Sequence, residues 1–163
     1  MSAGAGRQTK RELAAATSVE RRSHPPGIAV IALNLLAGAW GALAWLRRWS
    51  SVRFWYVLRL AQASVIVQVL LGAILLISGR EATDGWHYMY GAAPLLVNLF
   101  AEGMRVGAAQ REVGDVDFET LGAGEQRAIA VRIVHREMGI MAAAALLIVA
   151  FAVRAAQTSG HLF

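Results

Sequence analysis

Four long apolar stretches, separated by charged breaks, constrain this chain more than any other feature of its sequence. They cover residues 27–46, 54–78, 86–106 and 137–156. At 1.5 Å per residue, about 20 helical residues cross a hydrocarbon core of roughly 30 Å. Backbone amides in lipid must find partners within their own segment, and the alternating pattern of a barrel strand is absent. The stretches therefore predict an all-α, four-helix antiparallel transmembrane bundle.

The composition agrees with a bilayer protein and excludes several other classes. Of the 163 residues, 56% are hydrophobic and 17% are charged, and none is cysteine. Disulfide scaffolds, thiolate metal sites, iron–sulfur clusters and covalently attached c-type haem are thereby excluded. The net charge of +5 comes without a basic helix with interleaved aromatic residues, so we expect no nucleic-acid partner. The expected partner is the lipid bilayer, in a bacterial plasma membrane.

The segments between the apolar stretches predict the topology. Short charged turns at residues 47–53 and 79–85 are typical of antiparallel neighbouring helices. Residues 107–136 are predicted to form a polar connection. Its second half, 124–136, has the pattern of an amphipathic helix that lies on the membrane surface or continues into the fourth span. Residues 1–24 are expected to be a basic polar tail without fixed structure.

The distribution of lysine and arginine leaves the orientation of the bundle open. The two sides of the predicted bundle carry nearly equal numbers of basic residues. The loops alone favour the first and third connections in the cytoplasm, whereas the basic tail at residues 1–24 favours the opposite arrangement. Residues 157–163 are expected to form a second, short tail.

Polar side chains within the apolar stretches are candidate functional residues, because a polar group in lipid usually has a buried partner or lines a pathway. Helical spacing places His87 and Asn98 on one small, polar face of the third stretch, which is predicted to face the bundle. Asn34 lies on a similar face of the first stretch, and Gln68 and Gly72 lie on one of the second. Small residues permit close packing of helices, and amide side chains hydrogen-bond across it.

Arg59 and Glu102 are predicted to form an ion pair between the second and third helices. Both lie at a similar depth near the first turn, where an unpaired charge would be costly. There are two alternatives: Arg59 extends to the membrane interface, or Glu102 pairs with Arg105, three residues further along its own helix. The expected role of the pair is structural.

Three segments carry a resemblance to a known family. In chain order they are SHPPGIAVIALNLLAGAW, VIVQVLLGAILL and GWHYMYGAAPLL. This order resembles one half of haem A synthase, in which two His-bearing helices and a Gln-x-x-Leu-Gly helix form a haem b pocket. The resemblance implies that His24 and His87 would be haem ligands and that Gln68 would lie at the matched turn. The chain is also similar to small four-span bacterial membrane proteins that share its LRR turn and HYMYG segment.

The chain departs from the synthase pattern at its first histidine. In the family this histidine lies inside a helix and is followed by arginine, whereas Pro25 and Pro26 follow His24 here. A residue before proline is disfavoured in helical geometry, which predicts His24 at the membrane interface. The resemblance covers only one half of the synthase. It therefore implies haem binding or electron transfer and not synthase activity.

These patterns lead to three candidate functions. The first is a non-enzymatic subunit or accessory factor of a membrane assembly, with other membrane subunits or a second copy as partners. No Ser–His–Asp set, carboxylate pair or phosphate-binding loop is recognisable in the sequence. The second is a haem b-binding bundle with His87 as the main ligand. The third is a small transporter whose pathway would be lined by Glu102, Asn98 and Arg59.

Overall fold

A computed structural model describes residues 25–79, 85–114, 117 and 120–158, and this part of the chain contains helices and turns but no strand. The four helices are α1 (Pro25–Leu46), α2 (Val52–Ile77), α3 (Trp86–Val113) and α4 (Ala123–Thr158). The predicted all-helical bundle is confirmed. The predicted basic tail, and with it His24, lies outside the described residues.

The last two helices are longer than the apolar stretches on which they are built. Both extend into residues 107–136: α3 continues to Val113, and α4 begins at Ala123. The amphipathic segment continues into the fourth span, which was one of the two alternatives. Ion pairs stabilise the added turns, because the Glu112 carboxylate lies 3.2 Å from Arg132 and 3.0 Å from Arg136.

The helices pack in a definite order. α4 lies between α1 and α3 and packs extensively on both, while α2 packs mainly on α1. α2 touches α3 over a short length and barely reaches α4. Trp45 of α1 stacks on His135, and Gly38, two turns earlier in α1, lies against Leu146, further along α4. The earlier residue of α1 thus contacts the later residue of α4, so the two helices are antiparallel.

Small residues let α1 approach its neighbours closely. A β-carbon at Gly41 would clash with the Phe54 ring and the Ala142 methyl group, and one at Gly38 would lie 2.7 Å from the Leu146 side chain. The core at this contact combines buried alanines with the large side chains Phe54, Leu58, Met138 and Met141. The small residues of α1 therefore allow close packing of α1 on α2 and α4.

In the part of the chain that the structure describes, three helices are long and apolar enough to cross a membrane: α1 over Gly27–Leu46, α2 over Val52–Ile77 and α4 over Ala123–Gln157. α3 is not among them. Its apolar sequence is interrupted by His87, Asn98 and Glu102, which lower its hydropathy. A fourth crossing by α3 stays a prediction.

Candidate functional site

An ionic cluster centred on Glu102 joins α2 to α3. Arg59 Nη1 lies 2.7 Å from Glu102 Oε1, so the interhelical ion pair predicted from the sequence is present. The amide of Gln62 donates to the same oxygen at 2.9 Å, and Arg59 also donates to Gln62 Oε1 at 2.7 Å. Three side chains thus close a ring of hydrogen bonds between the two helices.

The second carboxylate oxygen of Glu102 extends the cluster to α4. Arg105 Nε lies 2.8 Å from Glu102 Oε2, so the intrahelical alternative is realised together with the interhelical pair. Arg105 Nη1 lies 3.6 Å from Glu137 of α4, and the Arg105 guanidinium lies 6.0 Å from the ring centroid of Trp55 of α2. The cluster therefore connects three helices at one level of the bundle.

The chemistry of the cluster is that of a structural contact. Two guanidinium groups face two carboxylates, so the formal charges cancel. Both oxygens of Glu102 are bonded to arginine, and Glu137 is only 13% exposed. Protonation of Glu102 would leave Arg59 and Arg105 without the carboxylate that they share.

Glu137 and Gln62 were not singled out by the sequence, although both belong to the cluster. Gln62 stands three residues after Arg59, a spacing that places the two side chains on one helix face. Glu137 lies 32 residues after Arg105 in the chain. Only the antiparallel packing of α3 on α4 brings these two together, so no local pattern marks Glu137.

The three predicted amide contacts are not made as expected. Asn34 is buried, but its Nδ2 donates to Val30 O of its own helix at 2.9 Å. Asn34 Oδ1, Gln68 Oε1 and Asn98 Nδ2 are buried without a hydrogen-bond partner among the described residues. Burial of Asn34 and Asn98 confirms that their helix faces point into the bundle. The expectation of hydrogen bonds between helices through these atoms is wrong.

Of the residues predicted to bind haem, the structure describes His87 and Gln68. His87 lies in the first turn of α3, and its Nδ1 is buried without a partner in the described part of the chain. Gln68 lies in α2, and its side chain is close to Gly27 at the start of α1. A β-carbon at Gly27 would lie 3.9 Å from Gln68 Nε2. His24 lies outside the described residues. A buried imidazole nitrogen and a buried amide oxygen without partners are compatible with a polar ligand or a metal at this end.

The fold and the apolar helices define the class of this protein: it is an integral membrane protein built from packed helices. No protein-family profile, curated protein or solved structure matches the chain.

Proposed function

We propose that the protein is a non-enzymatic subunit or accessory factor of a membrane assembly, embedded in a bacterial plasma membrane by four crossings. The observation that carries the proposal is the uneven burial of α2. The buried residues of this helix are Phe54, Leu58, Ala61, Gln62 and Val65. All of them lie between Phe54 and Val65, in the N-terminal part of the helix.

The second half of α2 extends away from the rest of the bundle. From Leu70 to Ile77 every residue is exposed, and Gly72 has open space where a β-carbon would stand. The small, polar face predicted for the second stretch therefore packs within the bundle at Ala61 but not at Gly72. Exposed leucine is not itself unusual in lipid. A glycine on an open helix face, one turn from Gln68, is typical of surfaces on which another helix packs.

The ionic groups support a non-enzymatic role. Glu102, Glu112 and Glu137 each lie within ion-pair distance of arginine. General acid–base work needs a carboxyl group that can exchange its proton with a substrate. Carboxylates fixed by arginine instead hold helices in register.

Site-specific photo-crosslinking in native membranes tests the proposal. A photoreactive phenylalanine analogue at position 72 is expected to give a discrete adduct with a second membrane protein or a second copy. The matched control is the same analogue at position 36 of α1, which is also exposed and is expected to give lipid adducts. Lipid adducts alone at both positions would overturn the proposal.

A haem b-binding bundle is the second candidate. It is supported by the unpartnered buried atoms His87 Nδ1 and Gln68 Oε1, which lie on the two helices that the resemblance to haem A synthase pairs. Histidine ligands of metals usually use one ring nitrogen for the metal and the other for a supporting hydrogen bond. His87 would supply the iron ligand, and haem would supply one-electron redox chemistry.

A further inference from the structure

We propose that one anionic phospholipid binds between α3 and α4, with its acyl chain in an apolar cleft and its phosphate in a basic pocket at the end of that cleft. This site is separate from the α2 surface and does not depend on the role proposed above. It rests on two adjoining cavities, the charges at their junction and a strained arginine.

The first cavity is an apolar cleft of about 850 Å³. Val97, Phe100 and Met104 line it from α3, and Ile140, Ala143 and Leu147 line it from α4. Its volume lies in the range of roughly 300–1,000 Å³ that is usual for sites that bind small molecules. A cleft of this kind, along two packed helices in a membrane protein, suits a hydrocarbon chain.

One end of the cleft is charged. Glu112 lines it together with Arg132, His135 and Arg136. Both arginines pair with the single Glu112 carboxylate and remain 57% exposed. Since one carboxylate cannot neutralise two guanidinium groups, a positive charge is left at the end of the cleft.

The second cavity, of about 360 Å³, lies beside that charged end. It is lined by Arg48, Trp49 and Ser50 of the first turn and by residues of α4, and it shares Arg132 and His135 with the cleft. Among the described residues that line the two cavities there are thus three arginines and one carboxylate. This excess of positive charge complements a phosphate, and basic pockets between membrane helices are known sites for anionic head groups.

The backbone of the first turn presents Arg48 to this pocket under strain. The Trp49 N–H donates to Ala44 O at 2.8 Å and the Arg48 N–H donates to Trp45 O at 3.1 Å, which is the Schellman pattern at the end of α1. The residue at the Arg48 position of this motif is usually glycine, yet Arg48 has φ of 53°. A left-handed conformation costs a non-glycine residue on the order of 1 kcal/mol or more. The Arg48 side chain is thus held at the pocket at a conformational cost that glycine would not carry.

A stacked pair of rings marks the level of the junction. Trp45 and His135 stack with ring centroids 5.7 Å apart, and a β-carbon at Gly139 would lie 2.7 Å from Trp45 Nε1. Tryptophan is enriched where head groups meet hydrocarbon. The junction therefore lies where a phospholipid changes from phosphate to acyl chain.

Native mass spectrometry of the detergent-purified protein tests the site. Phosphatidylglycerol and phosphatidylcholine with the same acyl chains are titrated separately. We expect one phosphatidylglycerol per protein, bound about tenfold more tightly than phosphatidylcholine, because near a membrane surface each basic residue contributes about 1 kcal/mol to binding an anionic lipid. Equal binding of the two lipids would overturn the proposal.

Two variants with matched controls locate the lipid. Arg48→Gly relieves the strained φ, so the fold is retained, and it is expected to weaken phosphatidylglycerol binding about fivefold. Arg53→Gln removes an exposed arginine outside both cavities and is expected to change binding by less than about twofold. Ala143→Leu fills the cleft and is expected to weaken both lipids, whereas Ala150→Leu on the same helix is not.

Other occupants would give different results. Binding of inorganic phosphate that displaces phosphatidylglycerol at equal concentration would assign the pocket to a soluble phosphate. A dimer that binds no lipid and is abolished by Ala143→Leu would assign the cleft to a second copy. Unchanged lipid binding in Arg48→Gly, with an unfolding temperature no lower than that of the parent protein, would exclude the basic pocket. Each of these results would overturn the proposal.

Discussion

Arg59 and Glu102 stand 43 residues apart in the chain, and their side chains meet at 2.7 Å. This ion pair lies in the short region where α2 touches α3. Apart from this region, α2 packs almost entirely on α1. The pair and its neighbours therefore help to set the distance between α2 and α3. The cluster around Glu102 is thus a polar link between the second and third helices.

Removal of Glu102 is predicted to destabilise the bundle. Glu102→Ala leaves Arg59 and Arg105 without their shared carboxylate and is expected to lower the free energy of unfolding by about 1–3 kcal/mol. This is less than for a fully buried pair, because the Arg59 side chain is 55% exposed. Thermal unfolding in detergent measures the effect. Gln110→Ala, an exposed change on the same helix, is the control and should leave the unfolding temperature unchanged.

A double-mutant cycle tests whether the pair itself carries this effect. Arg59→Met and Glu102→Gln are made singly and together. The coupling energy is expected to be about 0.5–2 kcal/mol, since the side chains are in direct contact. Additive effects of the two changes would show that the pair contributes nothing and that Glu102 acts through Gln62 or Arg105.

Gly41 is predicted to be intolerant of the smallest enlargement. Gly41→Ala places a methyl group against Phe54 and Ala142 and is expected to cost about 1–3 kcal/mol through displacement of α1 from its neighbours. Gly103→Ala is the matched control, because a β-carbon there meets nothing within 4 Å. It should be neutral or stabilising, since alanine favours a helix over glycine. Equal effects at the two positions would contradict this packing.

The prediction that α3 crosses the membrane can be tested with single cysteines, because the chain has none of its own. Ser50→Cys and Gly122→Cys are expected to react with an impermeant maleimide from one side, and Ser78→Cys from the other. If Gly122→Cys and Ser78→Cys react from the same side, α3 does not cross. Labelling of Ser50→Cys from the cytoplasm would agree with the basic loops.

A spectrum separates the two candidate functions. For an accessory protein, the reduced-minus-oxidised spectrum of protein purified from haem-supplied cells should show no haem bands. The alternative requires a haem b spectrum that is lost in His87→Ala, since that imidazole is the proposed ligand. Such a result, with the variant still folded by circular dichroism, would replace the accessory role with haem binding.

Much of the local structure could be predicted because lipid leaves few choices. The bounds of α1 and α2 fall within two residues of the predicted stretches, since charged residues end each apolar run. Burial of Asn34 and Asn98 followed from helical spacing. The depth of Arg59 and Glu102 followed from counting along two antiparallel helices, and this was sufficient to predict their contact.

The predictions failed where the outcome depended on which helices are neighbours. Gly72 lies on the same predicted face as Gln68, yet it is exposed, as is every residue of α2 from Leu70 to Ile77. The amphipathic pattern of residues 124–136 predicted a helix, but not the ion pairs that Arg132 and Arg136 make there with Glu112 of α3. Neither the exposure of Gly72 nor these ion pairs have a signal within a single segment.

The sequence by itself determined that this chain forms long apolar helices, because unpaired backbone groups are not tolerated in lipid. It also determined that charges within those helices need partners. Only the tertiary structure decided that α4 lies between α1 and α3 and that Glu137 joins the Glu102 cluster. It also decided that Arg48 and Arg132 line the same basic pocket. These are contacts between residues far apart in the chain, and their geometry depends on the order in which the helices pack.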